Sequence, residues 1–297
     1  MGQPLVSVVT ITRNRGKLLG RCISSVLAQT YNNIEYIIVD GASNDNTDEV
    51  IASFKDERLH FIQLETNWPI KETLDLGISL CQGKYITFLD SDDEYLPNKI
   101  EKQVKLIESL SEDYGLVYCW MTYYDDKTKK QLSVHKPELR GIIRDEVIGE
   151  PVISGTPTLM FRIELLRTLD VWKSADEIGI ISDWELCARA CQITKVDFIP
   201  ESLVNVYENH GSLRQSEKKY YDNICPRSIK FSRYFLTHFA ENFKRRPELL
   251  FPHYWTLFSC NFRLKHYGCA TKWLVKAIIN NPKAFLKKLF KYDTRNR

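Results

Sequence analysis

Between Phe88 and Pro97 the chain reads FLDSDDEYLP, which puts Asp90, Asp92, Asp93 and Glu94 within five positions, directly after the apolar run YITFL. Carboxylates this close repel one another unless a cation sits among them. A D-x-D pair at the end of a buried strand suits a hard divalent ion, because carboxylate oxygens are good ligands for Mg²⁺ or Mn²⁺. Mg²⁺ usually takes one or two protein carboxylates and completes its octahedron with water and phosphate oxygens, so such a site expects a phosphorylated substrate. Asp90 and Asp92 are the candidates for this work. Asp93 and Glu94 read instead as acids that meet the dipole of the helix that follows.

The elements that must carry these acids alternate. Leu5 to Ile11 is a β-branched run fit for a buried parallel strand, and Gly16 to Gln29 then shows apolar residues at helical spacing. Tyr36 to Val39 repeats the strand signal and stops at Asp40-Gly41-Ala42-Ser43, after which Ser43 or Asn44 can cap a helix from Thr47 to Phe54. Leu59 to Leu64 predicts a third strand, Lys71 to Cys81 a helix, and Lys84 to Leu89 a fourth strand that ends at the acidic cluster. This order predicts an α/β fold with an open, mostly parallel sheet between helices. Ligands of such sheets bind at the carboxyl ends of the strands, where Thr12-Arg13-Asn14-Arg15, Asp40-Gly41 and Asp90-Ser91-Asp92 converge. Beyond Pro97 the pattern predicts a helix over 98–110, a strand over 116–124, a Gly/Pro-punctuated loop within 142–161, a helix over 181–190 and a short strand.

Composition narrows the function classes. The 297 residues are 43% hydrophobic and 27% charged, as a globular chain is. The N-terminus lacks a basic region followed by a sustained apolar one, Val6 stands where a myristoylation signal wants Ser or Thr, and the longest apolar-rich stretch is interrupted by Pro252. A cytoplasmic protein is expected, and the eight cysteines, which form no CxxC pair, read as reduced thiols. No G-x-G-x-x-G or GxxxxGK[ST] follows the first strand, which removes the main support for dinucleotide or P-loop binding.

Four motifs, VSVVTITRNR, IIVDGASNDNTDEV, GKYITFLDSDD and ISDWELCARA, resemble in order and spacing the family 2 glycosyltransferases of the GT-A, Rossmann-like fold, over about residues 5–215. ETNWPIKETLDLGI is similar to a subfamily pattern E-x-D-x-G-I-Y-D-A-M-N-K-G-I, with Asn67, Pro69, Lys71, Glu72 and Asp75 as departures. The resemblance implies that Thr12, Arg13, Arg15 and Asp40 line a nucleotide pocket, that Asp90 meets the ribose, and that Asp92 holds a Mn²⁺ or Mg²⁺ bridging the diphosphate. It implies further that Asp183, in Ser182-Asp183-Trp184-Glu185, is the general base of an inverting transfer, and that His210 in YENHGSLRQS meets metal or diphosphate. Arg189 matches a family arginine, where a salt bridge and a substrate contact both fit. The implied donor is a nucleotide-diphosphate sugar, a UDP-hexose above all, and the implied acceptor a saccharide or lipid-linked saccharide of bacterial surface-polysaccharide type.

The chain changes character after residue 214. Residues 215–297 hold 18 Lys and Arg against 5 Asp and Glu, and 17 of the 35 Phe, Trp and Tyr residues, whereas residues 1–214 hold 23 against 33. The expected organisation is a catalytic domain over 1–214 and a basic, aromatic, helical extension over 215–297. Lysines interleaved with Phe285, Leu286, Leu289 and Phe290 suit a peripheral position on the anionic inner face of the cytoplasmic membrane. Two other readings are a nucleotidyltransferase, which wants a Gly-rich basic loop where this chain has TRNRGKLLG, and a nucleic-acid binder using the basic end. The retained Asp40, Asp90, Asp92 and Asp183 argue against the latter, and no nucleic-acid partner is expected.

Overall fold

A computed structural model of the protein describes residues 2–153, 155–169, 171, 175, 177, 182–208 and 217–293. Its backbone forms two compact units. The first comprises the described residues of 1–143, 153–172 and 181–212, and the second those of 144–152, 173–180 and 213–297.

The first unit is built on β1 (Val6–Thr12), α1 (Gly16–Leu27), β2 (Ile34–Asp40), α2 (Thr47–Ala52), β3 (Leu59–Gln63), α3 (Ile70–Ser79), β4 (Tyr85–Phe88), β5 (Glu94–Tyr95), α4 (Lys99–Ser109), β6 (Tyr114–Asp125), β7 (Gln131–His135), β8 (Leu159–Arg162), α6 (Ile163–Leu169), α7 (Asp183–Ile193) and β9 (Lys195–Glu208). The strands form one sheet in the order β3-β2-β1-β4-β8-β6-β9-β5, with β7 pairing beside β6. From β3 to β4 every pairing is parallel; β8 then runs antiparallel to both β4 and β6, and β9 is parallel to β6. The expected parallel sheet thus holds over the amino-terminal half, and the remainder is mixed.

The apolar runs explain the layering. All seven residues of β2 and all four of β4 are buried, so both faces of these strands are covered. On α1, Leu19, Cys22, Ile23 and Val26 fall at i, i+3, i+4 and i+7, one stripe buried in the same cluster as Val6, Val8, Tyr36 and Ile38. Register then sets the site: Thr12 pairs with Asp40 across β1 and β2, and Val9 pairs with Phe88 across β1 and β4. The ends of β1, β2 and β4 therefore open on one edge of the sheet.

One charge lies in the core. Lys99, at the start of α4, is fully buried, donates to Thr87 Oγ1 at 2.5 Å and sits 3.9 Å over the Tyr95 ring. Burial pulls its ammonium down to about 7.

The second unit contains α5 (Glu146–Gly149), α8 (Glu217–His238), α9 (Ala240–Arg245), α10 (Phe251–Arg263), α11 (Tyr267–Asn280) and α12 (Pro282–Asp293). Its core is aromatic around His253, whose ring lies 5.2 Å from Phe235 and 5.4 Å from Phe243. His253 Nε2 and the Ile148 carbonyl are 2.7 Å apart, which assigns the ring proton to Nε2 as donor. Burial pushes the imidazole down to about 4, with the Ile148 carbonyl acting in the opposite direction. Asp145, just before α5, accepts from Asn242 Nδ2 and Arg245 Nη2, both at 2.8 Å.

Candidate active site

The loops after β1 and β2 are tied to each other. Asn14, at φ 53°, donates its backbone N–H to Ser43 Oγ at 2.7 Å and accepts through Oδ1 from Asn44 N at 2.9 Å. Asn tolerates this left-handed conformation because its short polar side chain bonds locally. Arg15 N donates to Thr47 Oγ1 and Gly16 N to Asp45 Oδ2, each at 3.2 Å. A Cβ on Gly16 would lie 2.3 Å from Asn46 Oδ1 and 3.1 Å from its backbone carbonyl carbon, so a larger residue would make Asn46 shift where α1 starts against the second loop.

Within that frame Asp40 is fully buried and accepts from both the backbone N–H of Ser43, at 2.9 Å, and its hydroxyl. Thr12 is buried beside it in register, and among the described residues its Oγ1 has no hydrogen-bond partner. A buried hydroxyl without a partner is costly. Arg13 is exposed at the loop tip, and Arg15 reaches Asp92, with Nη1 3.5 Å from Oδ2.

The acidic cluster divides differently from the sequence expectation. Asp93 and Glu94 do not cap the following helix, which starts at Lys99 behind Asn98. Glu94 belongs to β5, which pairs antiparallel with β9, and its Oε2 accepts from Asn205 Nδ2 at 3.0 Å and Tyr207 OH at 2.8 Å. Asp93 is buried and accepts from Tyr207 N at 3.0 Å. Burial, then the charge of Asp90, push the Asp93 carboxyl up to about 8. Two strand residues facing a partner strand therefore took the acids that a helix-cap reading had claimed.

Asp90 is solvent-accessible as a residue. Desolvation of its carboxyl, then the nearby charges of Asp92 and Asp183, push it up to about 7, against the pull of Arg15. Asp92, two residues on, and Asp183, at the start of α7, both lie near enough to Asp90 for their charges to act on it.

Asp183 opens α7. Ser182 is the N-cap, its hydroxyl accepting from Glu185 N at 3.4 Å. The Asp183 carboxylate accepts from Gly155 N at 2.5 Å through Oδ2 and from Trp184 N at 2.9 Å through Oδ1, so two backbone donors fix its direction. Gly155 has φ +89°, and a Cβ there would lie 2.8 Å from Met121 Sδ. Glu185 is fully buried and pairs with Arg189 Nε at 2.5 Å, while Arg189 Nη1 donates to the Leu169 carbonyl. Of the two roles open to Arg189, the structure displays the salt bridge. His210 lies outside the described residues.

Two residues of this neighbourhood escaped sequence reasoning. Arg21 on α1 donates through Nη2 to the backbone carbonyl of Asp92 at 2.6 Å and through Nη1 to Asp126 Oδ1 at 2.8 Å, with its guanidinium carbon 3.6 Å from the Tyr207 ring centroid. It joins α1, the Asp92 turn and the ends of β6 and β9. Tyr123 on β6 is half-buried, and its phenol is pushed up by burial and then by Asp183, Glu208 and Asp93, which places it against the same acids. Only its aromatic neighbours in LVYCWMTYY could have drawn attention to it.

Among the described residues no group of three or more His, Cys, Asp and Glu is arranged to hold a metal. The residues still fit an ion of the Mg²⁺ or Mn²⁺ kind, which needs only one or two carboxylates when a diphosphate supplies the other oxygens. Asp92 would offer such an oxygen, and the charge it crowds against Asp90 is what such an ion relieves.

A sheet of this order, with an acid-lined edge fed by three strand ends, is that of the GT-A class. The family model described as Glycosyl transferase family 2 matches residues 7–169, and the chain belongs to that family. It is 36% identical over 137 residues to an uncharacterized glycosyltransferase of Rickettsia typhi, a match over 46% of this chain and 42% of that one. It is 32% identical over 161 residues to a putative teichuronic acid biosynthesis glycosyltransferase of Bacillus subtilis, over 53% and 62% respectively. The chain thus spans less than two thirds of the length of these curated relatives. Among solved structures, Staphylococcus aureus TarS 1–349 in complex with UDP-GlcNAc superposes with a TM-score of 0.58 at 16% identity, covering 93% of this chain and 88% of that one. A Pyrobaculum calidifontis mannosyltransferase in complex with GDP-Man and Mn²⁺ superposes with a TM-score of 0.59 at 16% identity, covering 98% and 80%. These likenesses establish the fold.

Proposed function

We propose that the protein is an inverting glycosyltransferase that moves a hexose from a nucleotide-diphosphate sugar, a UDP-hexose, to a saccharide or lipid-linked saccharide. The observation that carries this reading is that the charges of Asp92 and Asp183 both bear on Asp90 and that Arg15 reaches Asp92, on the sheet edge where Thr12 and Asp40 end their strands in register. Family membership supports the reaction class, and the UDP-GlcNAc and GDP-Man complexes of the structural neighbours support a nucleotide-sugar donor.

In this reading Thr12, Arg13, Arg15 and Asp40 receive the nucleotide, with the Thr12 hydroxyl, which has no partner among the described residues, bonding to it. Asp90 meets the ribose. Asp92, with His210, would hold Mn²⁺ or Mg²⁺, which supplies charge neutralisation at the diphosphate when bound. Asp183 takes the proton of the acceptor hydroxyl as its oxygen forms the new bond to the anomeric carbon; the bond to the diphosphate breaks on the opposite face, which inverts the configuration. Gly155 N–H and Trp184 N–H hold the carboxylate in line for that transfer. General base catalysis of this kind contributes about 10² to 10⁴-fold. A lipid-linked acceptor of surface-polysaccharide type, consistent with the teichuronic acid relative, would place the enzyme peripherally on the inner face of the cytoplasmic membrane. Among the described residues no helix is long and apolar enough to cross one.

A thermal-shift screen of nucleotide sugars with and without Mn²⁺ tests the reading, since a ligand of the native state raises Tm through its binding free energy. The donor should raise Tm with Mn²⁺, and Asp92→Ala should lose the metal-dependent part. No shift with any nucleotide sugar, or an unchanged metal response in Asp92→Ala, would refute it.

A further inference from the structure

The carboxy-terminal unit carries an apolar surface that sugar transfer does not use. On α11, Tyr267, Val275, Ile278 and Ile279 are exposed, Ile279 to 75%, while Ala270 and Ala277 are buried. Spacings of eight, eleven and twelve residues from Tyr267 gather the four on one side of the helix. Lys272 and Lys276 border them, their ammonium groups 5.7 and 5.0 Å from the Trp273 ring centroid. On α12, Leu286 and Leu289 are exposed to 52% and 45%, next to Lys287 and Lys288. Between α8, α10 and α12 lies a cavity of about 770 Å³ whose walls include Trp255, Phe258 and Leu289 together with Arg263 and Lys265.

We infer that this face of the carboxy-terminal helices docks on a bilayer rich in anionic phospholipid, with the cavity receiving one lipid chain. Exposed apolar side chains on this scale call for a partner, and charge selects which. Residues 215–297 carry 18 basic against 5 acidic residues. A second copy seated on the same face would bring lysine against lysine. A nucleic acid would answer the charge and leave the Ile and Leu stripe without a counterpart. A bilayer satisfies both: isoleucine and leucine enter the acyl boundary while lysines reach lipid phosphates, as an amphipathic helix lying in the interface does. At 14 residues α11 is shorter than the ~20 that span a membrane, so it lies along the surface. The inference rests on the lipid-linked acceptor proposed above and adds the surface that meets the lipid.

Vesicle sedimentation tests it, using phosphatidylglycerol/phosphatidylethanolamine vesicles against phosphatidylcholine vesicles, with the full chain, the I278E/I279E variant and the K272E/K276E variant. The wild type should pellet with the anionic vesicles only. I278E/I279E should bind them at least tenfold more weakly, and K272E/K276E at least twentyfold, since each basic residue near an anionic surface is worth about fivefold. Both variants should keep the Mn²⁺-dependent Tm shift with UDP, which shows that they are folded. Equal pelleting of wild type and I278E/I279E overturns the inference. So does a wild-type dimer by light scattering that I278E/I279E converts to monomer without any vesicle binding. If the wild type pellets selectively, I278E/I279E with an unchanged circular dichroism spectrum does not, and no nucleotide shifts Tm, the docking surface stands and the donor assignment falls.

Discussion

Arg21→Met isolates the contribution of the guanidinium that ties the Asp92 turn to the rest of the site. Methionine keeps an unbranched apolar stem and removes the fork. Lost are the 2.6 Å bond to the Asp92 carbonyl and the 2.8 Å ion pair with Asp126, in a side chain only 24% exposed. Hydrogen bonds to charged groups are worth about 1.5–3 kcal/mol net, and a cation over a ring at 3.6 Å adds about 0.5–2 kcal/mol. Asp126 keeps Lys129 at 2.7 Å, which limits the loss from that pair. The expected destabilisation is about 2–4 kcal/mol, a fall of roughly 5–15 °C in Tm for a unit of this size. Residues that orient a metal ligand typically change metal affinity 10- to 100-fold, so the Mn²⁺ concentration that half-saturates UDP binding in calorimetry should rise about tenfold or more. Arg21→Lys keeps the charge but reaches one acceptor at a time, and should recover stability more fully than Mn²⁺ dependence. A Tm within 1 °C of wild type refutes the stability argument. A large fall in Tm with unchanged Mn²⁺ dependence refutes the positioning argument.

Asp183→Asn retains the shape of the base and removes its proton affinity; kcat should fall about 10² to 10⁴-fold while UDP affinity by calorimetry is unchanged, and a parallel loss of UDP binding would show that Asp183 serves the donor instead. His253 gives a pH dependence. Its folded value of about 4 lies below the unfolded value near 6.5, so the unfolded chain binds the extra proton between them and stability falls as pH drops through that window, by up to about 3 kcal/mol. Urea unfolding at pH 7.5 and pH 4.5 should register most of that loss, and His253→Gln should flatten the difference.

What the sequence discloses follows from how local each signal is. Val6–Thr12, Ile34–Asp40 and Tyr85–Phe88 are legible because strands covered on both faces need continuous apolar runs, and α1 because its buried stripe repeats at helical spacing. The approach of Asp40, Asp90 and Asp92 follows from the rule that parallel strands end on one edge. β8 stayed hidden inside a Gly/Pro-rich segment, where four residues, Leu159–Arg162, are too few to display a period. The roles of Asp93 and Glu94 were misread because β5 is two residues long and its partner, β9, lies more than a hundred residues away. Arg21 is invisible for a related reason: on an amphipathic helix an arginine off the apolar stripe has the pattern of a solvated residue, and only the turn of Asp92 folding over it makes it a tie.

The sheet order β3-β2-β1-β4-β8-β6-β9-β5 also sets a timetable for synthesis. β1 to β4 pair over short sequence separations and are complete once residue 88 has left the ribosome. β4 then waits for β8, more than seventy residues later, and β5 has no strand partner until Asn205 and Val204 emerge. Long-range pairings of this kind are slow to form, and an unpaired strand edge is exposed to association with other chains in the meantime. A nascent chain therefore carries the edge of β4 open until β8 emerges, and the contact of Arg21 with the Tyr207 ring closes later still, once β9 has been made.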